Sequence, residues 1–220
     1  MPPCYTEASS VYKGFGRVGD EGCRTGRRPR ADAARNRERL LRAAKAVFGT
    51  GGPNASLEAV AREAGVGIGT LYRHFPTREA LFEAVYRHEV EQLVELAGQL
   101  AAHPAPVEAL RQWLRANVAF VATKKGMAAA LALAAHGPTE LKAYTAERLT
   151  AAVGGLMDRA VAAGELRTDV GPMDVLRMLV SLSHGSDAPG WQENVMRLLD
   201  VFLDGLRRPA GRPGDTVRTV

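Results

Sequence analysis

Cysteine is almost missing from this chain of 220 residues: there are two, Cys4 and Cys23, both near the front. A disulfide framework or a cysteine-based metal site in the remainder is thereby excluded. Aromatic residues make up only 6%, so Leu, Val and Ala must build most of any core. No run approaches the ~18 consecutive apolar residues of a membrane span, and residues 1–30 lack the apolar stretch of a secretory signal. A cytoplasmic protein without a membrane partner is expected. The histidines (His74, His88, His103, His136 and His184) form no His-x-x-x-His or His-Glu-x-x-His pair, so neither a metal nor another cofactor is expected. Sustained period-two alternation with β-branched residues is also lacking, which argues against a sheet.

What is present is ordinary for a globular protein: 46% hydrophobic and 24% charged residues. The net charge of +5 is unevenly placed. Residues 1–88 carry 15 Lys and Arg against 9 Asp and Glu, whereas residues 89–220 carry 14 against 15. The cationic excess belongs to the front, as expected of a region that meets a polyanion. A solvated basic arm is the plainer reading, and the two are compatible.

Residues 1–30, with five glycines from Gly14 to Gly26 and the cluster Arg24, Arg27, Arg28 and Arg30, are predicted to be a disordered basic arm. A helix is expected from about Ala31, where Leu40, Leu41, Ala44, Val47 and Phe48 recur at three-to-four-residue spacing until Gly51-Gly52-Pro53. Ser56 is a good N-cap for a short helix from Leu57 to Ala64, and Gly65 ends it. A second short helix reaches about Phe75, where Pro76 breaks it. Thr77 can then cap a long helix from Arg78 toward Ala101. Behind it, helices are expected at about 107–124, over an Ala-rich segment from Gly126 to His136, at 139–163 with loosening at Gly154-Gly155, at 172–184 and at 191–206. Residues 207–220 read as a disordered tail. The fold class is all-α, with about nine helices and no internal repeat.

The stretch Gly65-Val66-Gly67-Ile68-Gly69-Thr70 first raises a phosphate loop. A dinucleotide loop needs a preceding strand and the spacing G-x-G-x-x-G, and a Walker loop needs Gly-Lys-Ser/Thr. None of these is present. Two short helices joined by a tight glycine-containing turn match a helix-turn-helix instead. Val60, Ala61 and Ala64 of the first helix, Val66 of the turn and Leu71 and Phe75 of the second would face inward. Thr70, Arg73 and His74 would face outward, flanked by Tyr72. Gly67 and Gly69 remove side chains where the backbone must come close to DNA.

The run Gly69-Thr70-Leu71-Tyr72-Arg73-His74-Phe75, followed by Thr77-Arg78-Glu79-Ala80-Leu81, resembles the signature of the TetR family of bacterial regulators. The helix at 31–50, the capping Ser56 and the Ala61…Gly65-Val66 pattern fit the same family. The resemblance covers about residues 31–90; the back half is similar in helix count and spacing alone. It implies a DNA-binding domain over 31–77 and a helical ligand-binding and dimerisation domain over 78–206. The implied partner is double-stranded DNA, a palindromic operator bound by a homodimer. Ser56 would meet phosphate, Thr70 and Tyr72 phosphate or bases, His74 phosphate and Arg78 the backbone, at a position where the family usually has Lys. Ile68 is inward by helical periodicity but is often an exposed base reader in the family. Tyr72 also reads as a core-edge aromatic, Arg73 as a solvated charge, and the arginines at 24–30 mainly as nonspecific affinity.

By the same resemblance, the last two helices would form the dimer bundle, with Leu176, Leu179, Val180, Val195, Leu198, Leu199, Phe202 and Leu206 in its interface or in the core. Pocket candidates for a small-molecule effector are the aromatics Trp113, Phe120 and Tyr144, the methionines Met127, Met157 and Met178, and the histidines His136 and His184. Ordinary core is the plainer role for most of them. The implied function is a transcriptional regulator, a repressor released from its operator by that effector. The alternative is a DNA-binding regulator controlled by a protein partner or by no effector. No nucleophile–base or paired-acid constellation stands out, so an enzyme is not expected.

Overall fold

A computed structural model describes residues 28–51, 54–131, 137–185 and 190–208, with side chains described for 32–50, 54–125, 140–185 and 190–208. The front cysteines, Arg24, Arg27, His136 and the tail beyond Arg208 lie outside the described residues, as do the side chains of Arg28, Arg30 and Met127. Eight helices follow one another among the described residues: α1 (Arg28–Gly51), α2 (Leu57–Glu63), α3 (Ile68–His74), α4 (Arg78–Leu100), α5 (Pro106–Leu131), α6 (Gly137–Ala162), α7 (Pro172–His184) and α8 (Trp191–Leu206). No strand forms among these residues; an isolated bridge joins Leu166 to Arg207. No described helix is long and apolar enough to cross a membrane.

The helix count falls one short of the expected nine because the chain does not break at Gly126. A glycine in a helix interior costs only about 1 kcal/mol relative to Ala. The buried stripe Leu110, Trp113, Leu114, Val118 and Val121 holds α5 in place before that point. The glycine pair in α6 stays helical for a similar reason. Val153, Leu156, Met157 and Ala160 are buried around it, and a Cβ on Gly154 would meet the ring of Pro172 at 3.5 Å, an ordinary contact distance.

Two boundaries move. The first helix starts at Arg28, three residues before the expected Ala31, because Pro29 falls in its first turn, where a missing N–H costs nothing. At the other end, Arg207 and Arg208 are ordered: the Arg208 amide donates to the Glu165 carbonyl at 2.9 Å, and the Arg167 amide donates to that of Leu206 at 3.0 Å.

Helices α4, α5 and α6 pack on one another, and α7 and α8 close the far side against α5 and α6. Trp113 is fully buried, and its indole N–H donates to the Leu93 carbonyl at 2.8 Å, pinning α5 to α4. Arg159 of α6 donates to the carbonyls of Leu100 and His103 (3.2 and 2.8 Å), tying α6 to the end of α4 and the turn after it. Arg115 of α5 bridges to Asp200 of α8 at 2.9 Å.

The front three helices are joined to this body through the packing of α1 on α4 and α5. Phe48 of α1 stacks on Phe82 of α4 with ring centroids 4.3 Å apart. Lys45 pairs with the buried Glu89, and His88 lies 3.4 Å from Glu38.

Candidate nucleic-acid interface and effector cleft

Short helices need caps, and α2 has one. The Ser56 hydroxyl oxygen accepts the Ala59 amide at 3.0 Å while the Ser56 backbone stays extended. That bond uses an oxygen lone pair and leaves the hydroxyl proton for an outside acceptor. Leu57, Val60, Ala61 and Ala64 are buried against α1. Gly65 then turns the chain with φ +64°, a conformation that L side chains rarely adopt. Val66 is half-buried against the core. The amide of Val66 donates back to Ala61, and Gly67, extended at φ −69° and ψ 148°, caps α3.

Within α3, Leu71 and the capping Phe75 are buried, the latter beneath the Arg37 guanidinium at 4.7 Å. These two contacts fix the rotation of the helix and decide which side chains face out. Ile68 is 37% and Tyr72 46% exposed. Ile68 therefore lies outward, against its helical periodicity: it is the first residue of α3, before a turn exists to bury it. Tyr72 is the more exposed of the two. Arg73 folds back on its own helix, donating to the Thr70 hydroxyl at 3.0 Å and to the Gly69 carbonyl at 3.2 Å. His74 is half-buried beside Phe75. Arg78 opens α4, its guanidinium 5.9 Å from the Phe48 ring, beyond the Thr77 cap that accepts the Ala80 amide at 3.1 Å. A Cβ placed on Gly67 or Gly69 would meet no heavy atom within 4 Å. Ser56, Gly67, Ile68, Gly69, Thr70, Tyr72, Arg73, His74 and Arg78 thus belong to α3 and to the caps and first turns beside it.

In the back half, an open cleft of about 400 Å³ lies among α4, α5, α6 and α7. Tyr86, Asn117, Phe120, Leu149 and Leu176 are its buried lining, and Lys124, Lys142 and Arg177 its cations, with His184 beside them. Tyr86 is buried, which pushes its phenol above the usual tyrosine range, and the Thr145 hydroxyl lies 3.2 Å from its oxygen. Asn117 is 2% exposed, and its side-chain nitrogen has no acceptor among the described residues. Outside the cleft, α8 leaves Leu198 and Val201 exposed, while the exposed Met173 and Val180 of α7 stand on the cleft's own lining.

Two family profiles cover most of this architecture. Residues 40–85 match "Bacterial regulatory proteins, tetR family", and residues 105–208 match "Transcriptional regulator SbtR-like, C-terminal domain". Among solved structures, the TetR transcriptional regulator SCO0520 of Streptomyces coelicolor is 44% identical, with a TM-score of 0.70. The match covers 79% of this chain and 99% of that one. A TetR transcription regulatory protein of Mycobacterium vanbaalenii is 36% identical, with a TM-score of 0.67 over 82% and 99%. The transcriptional regulator UidR of Escherichia coli K12 is 27% identical over 190 residues, 82% of this chain and 93% of its own. The chain belongs to the TetR family. It is a DNA-binding transcriptional regulator, and the families and relatives it matches are regulators and not enzymes.

Against the TetR frame, the sequence-derived pocket candidates separate. Phe120 and His184 line the cleft. Trp113 and Met157 are core, and Met178 is half-buried against it. Tyr144 faces another neighbourhood: its hydroxyl bonds to Glu91 and its ring lies 4.6 Å from the Arg87 guanidinium. Arg148 bonds to the same Glu91 and, as the largest cause, holds that carboxyl below the usual range. Tyr86, Asn117, Lys124, Lys142 and Arg177 were missed as cleft residues. Asn117 carried a usable signal, being a polar residue on the stripe Trp113, Leu114, Val118 and Val121. In the last two helices, Leu176, Leu179, Val195, Leu199 and Leu206 are core, Phe202 is half-buried, and Val180 and Leu198 are exposed.

Proposed function

We propose that this regulator is a homodimeric repressor that occupies a palindromic operator and leaves it when a small molecule enters the α4–α7 cleft. The observation that carries the reading is the double engagement of α4. Tyr86 lines the cleft, while Phe82 and Glu89, about one turn to either side, grip α1 of the DNA-binding head. A guest that shifts Tyr86 moves the helix on which the head is mounted, so its binding energy is expressed as a change in head spacing.

On the DNA side, α3 enters the major groove. Tyr72 and Thr70 meet bases or phosphates, Ile68 offers apolar contact such as to a thymine methyl, and Ser56, His74 and Arg78 hold the sugar-phosphate chain. Arg73 must leave its intrahelical bonds to reach a base. The open space above Gly67 and Gly69 is where the duplex backbone passes. The exposed Leu198 and Val201 of α8, with the neighbouring face of α7, pair with those of a second copy, which puts two α3 helices on successive grooves.

The test is selection of the operator from random DNA with the full-length protein, followed by a compound screen for release. Half-sites about 34–36 Å apart, centre to centre, are expected. Tight binding of a single half-site by a monomer would contradict the reading.

A further inference from the structure

The cleft assigned above to an effector has a one-sided chemistry. Among the described residues no carboxylate lines it, whereas Lys124 of α5, Lys142 of α6, and Arg177 and His184 of α7 do. Arg177 has an acidic neighbour, the exposed Asp174 at 3.7 Å. Lys124 is half-buried with its ammonium 6.0 Å from the Tyr86 ring, and neither it nor Lys142 has a carboxylate partner among the described residues. Burial first, and Lys142 second, lower the Lys124 ammonium below the ordinary lysine range. Deeper in, the buried Asn117 amide nitrogen lacks an acceptor. The wall around these groups is apolar: Phe120, Val121, Leu149 and Leu176.

We infer that the effector is an amphipathic organic anion, with its acid group between Lys124 and Lys142, within reach of the Asn117 amide, and its apolar body on Phe120, Leu149 and Leu176. The inference rests on the cleft being the effector site. The Lys124 and Lys142 ammonium groups repel each other beside an apolar wall, the half-buried Lys124 being partly desolvated, and a buried amide without an acceptor is a standing cost. A neutral guest can accept from the amide but leaves the ammonium repulsion in place, and a cationic guest adds to that repulsion. An anion removes both the repulsion and the cost of the amide, and the apolar wall favours one that carries a hydrocarbon body.

The test is calorimetric titration of the full-length protein with three probes of equal length: octanoate, 1-octanol and octylamine. Octanoate is expected to bind roughly tenfold tighter than 1-octanol, the size of one charge-assisted hydrogen bond, with octylamine weakest. The double variant Lys124→Met, Lys142→Met keeps the apolar stems; it should lose the preference while holding 1-octanol within about twofold. Equal binding of the three probes, or an order led by the alcohol or the amine, overturns the anionic class and leaves the effector site standing. If none of the probes binds, the charge of whatever compound releases the operator decides. An anionic releaser supports the inference, and a neutral or cationic one overturns it. No releaser at all overturns the effector reading beneath it.

Discussion

The α3 helix and the α7–α8 pair both expose large apolar side chains, but in different company. On α3, Ile68 and Tyr72 stand among Ser56, Thr70, Arg73 and His74, next to two glycines with open space above them. On α7 and α8, Val180, Leu198 and Val201 are 45%, 49% and 70% exposed, along helices of 13 and 16 residues. Single exposed apolar residues are normal on any surface. Apolar residues among hydrogen-bond donors and cations fit a wet, charged partner such as a DNA groove. Several of them along two neighbouring helices fit another apolar face. The two surfaces thus differ in the partner they can satisfy, although their apolar residues are of similar size.

The comparison is most sharply tested by leaving the surface. Leu71 is fully buried beside the exposed Tyr72. Leu71→Ala should cost about 2–5 kcal/mol of folding stability through lost burial and the cavity left behind. Operator binding should fall with it, because Leu71 sets the rotation of α3. Denaturant unfolding measures the first effect, and a loss below about 1 kcal/mol would mean that α3 is not held by this contact.

On the α7–α8 surface, a charge should separate the copies. Leu198→Asp with Val201→Asp places two carboxylates in the proposed interface and should weaken the dimer by at least about 2 kcal/mol. Sedimentation would show monomers at concentrations where the parent is dimeric, with helical content retained. An unaltered dimer would move the interface elsewhere and remove half of the contrast between the two surfaces.

Tyr72→Ala probes the other half. It removes a 46%-exposed side chain, so unfolding should be nearly unaffected, while operator affinity falls by roughly 1–3 kcal/mol. A folded variant with full affinity would show that α3 presents Tyr72 to solvent alone.

How much of this was legible beforehand also divides by region. The head is short and punctuated. Ser56, Gly65, Thr77 and Pro76 each act through local backbone chemistry, so α2, α3 and the start of α4 fall within a residue or two of their expected bounds. The last two helices start where expected because Gly171-Pro172 and Gly190 mark their N-termini. The cleft was less accessible. It is made by the relative rotation of α4, α5, α6 and α7, and rotation depends on packing between residues far apart in sequence. Trp113 and Phe120 are aromatic residues seven apart on α5, yet one bonds to Leu93 in the core and the other lines the cleft. Lys124 and Lys142 look like solvated charges until two helices bring them to one wall.

The finest test of the contrast is Gly69→Ala. In the free protein an added Cβ meets nothing within 4 Å, and Gly69 is already helical. Alanine there should stabilise the fold by about 0.5–1 kcal/mol, mainly by restricting the unfolded chain. If the duplex backbone passes close to this position, the same methyl group must push it away, and operator affinity should fall. Stability and affinity then move in opposite directions. Gly155→Ala on α6 is the control, since a Cβ there also meets nothing within 4 Å. It should share the gain in stability and leave operator affinity alone. Should Gly69→Ala also leave affinity alone, the space above α3 is ordinary solvent, and the glycine serves neither the fold nor the approach of DNA.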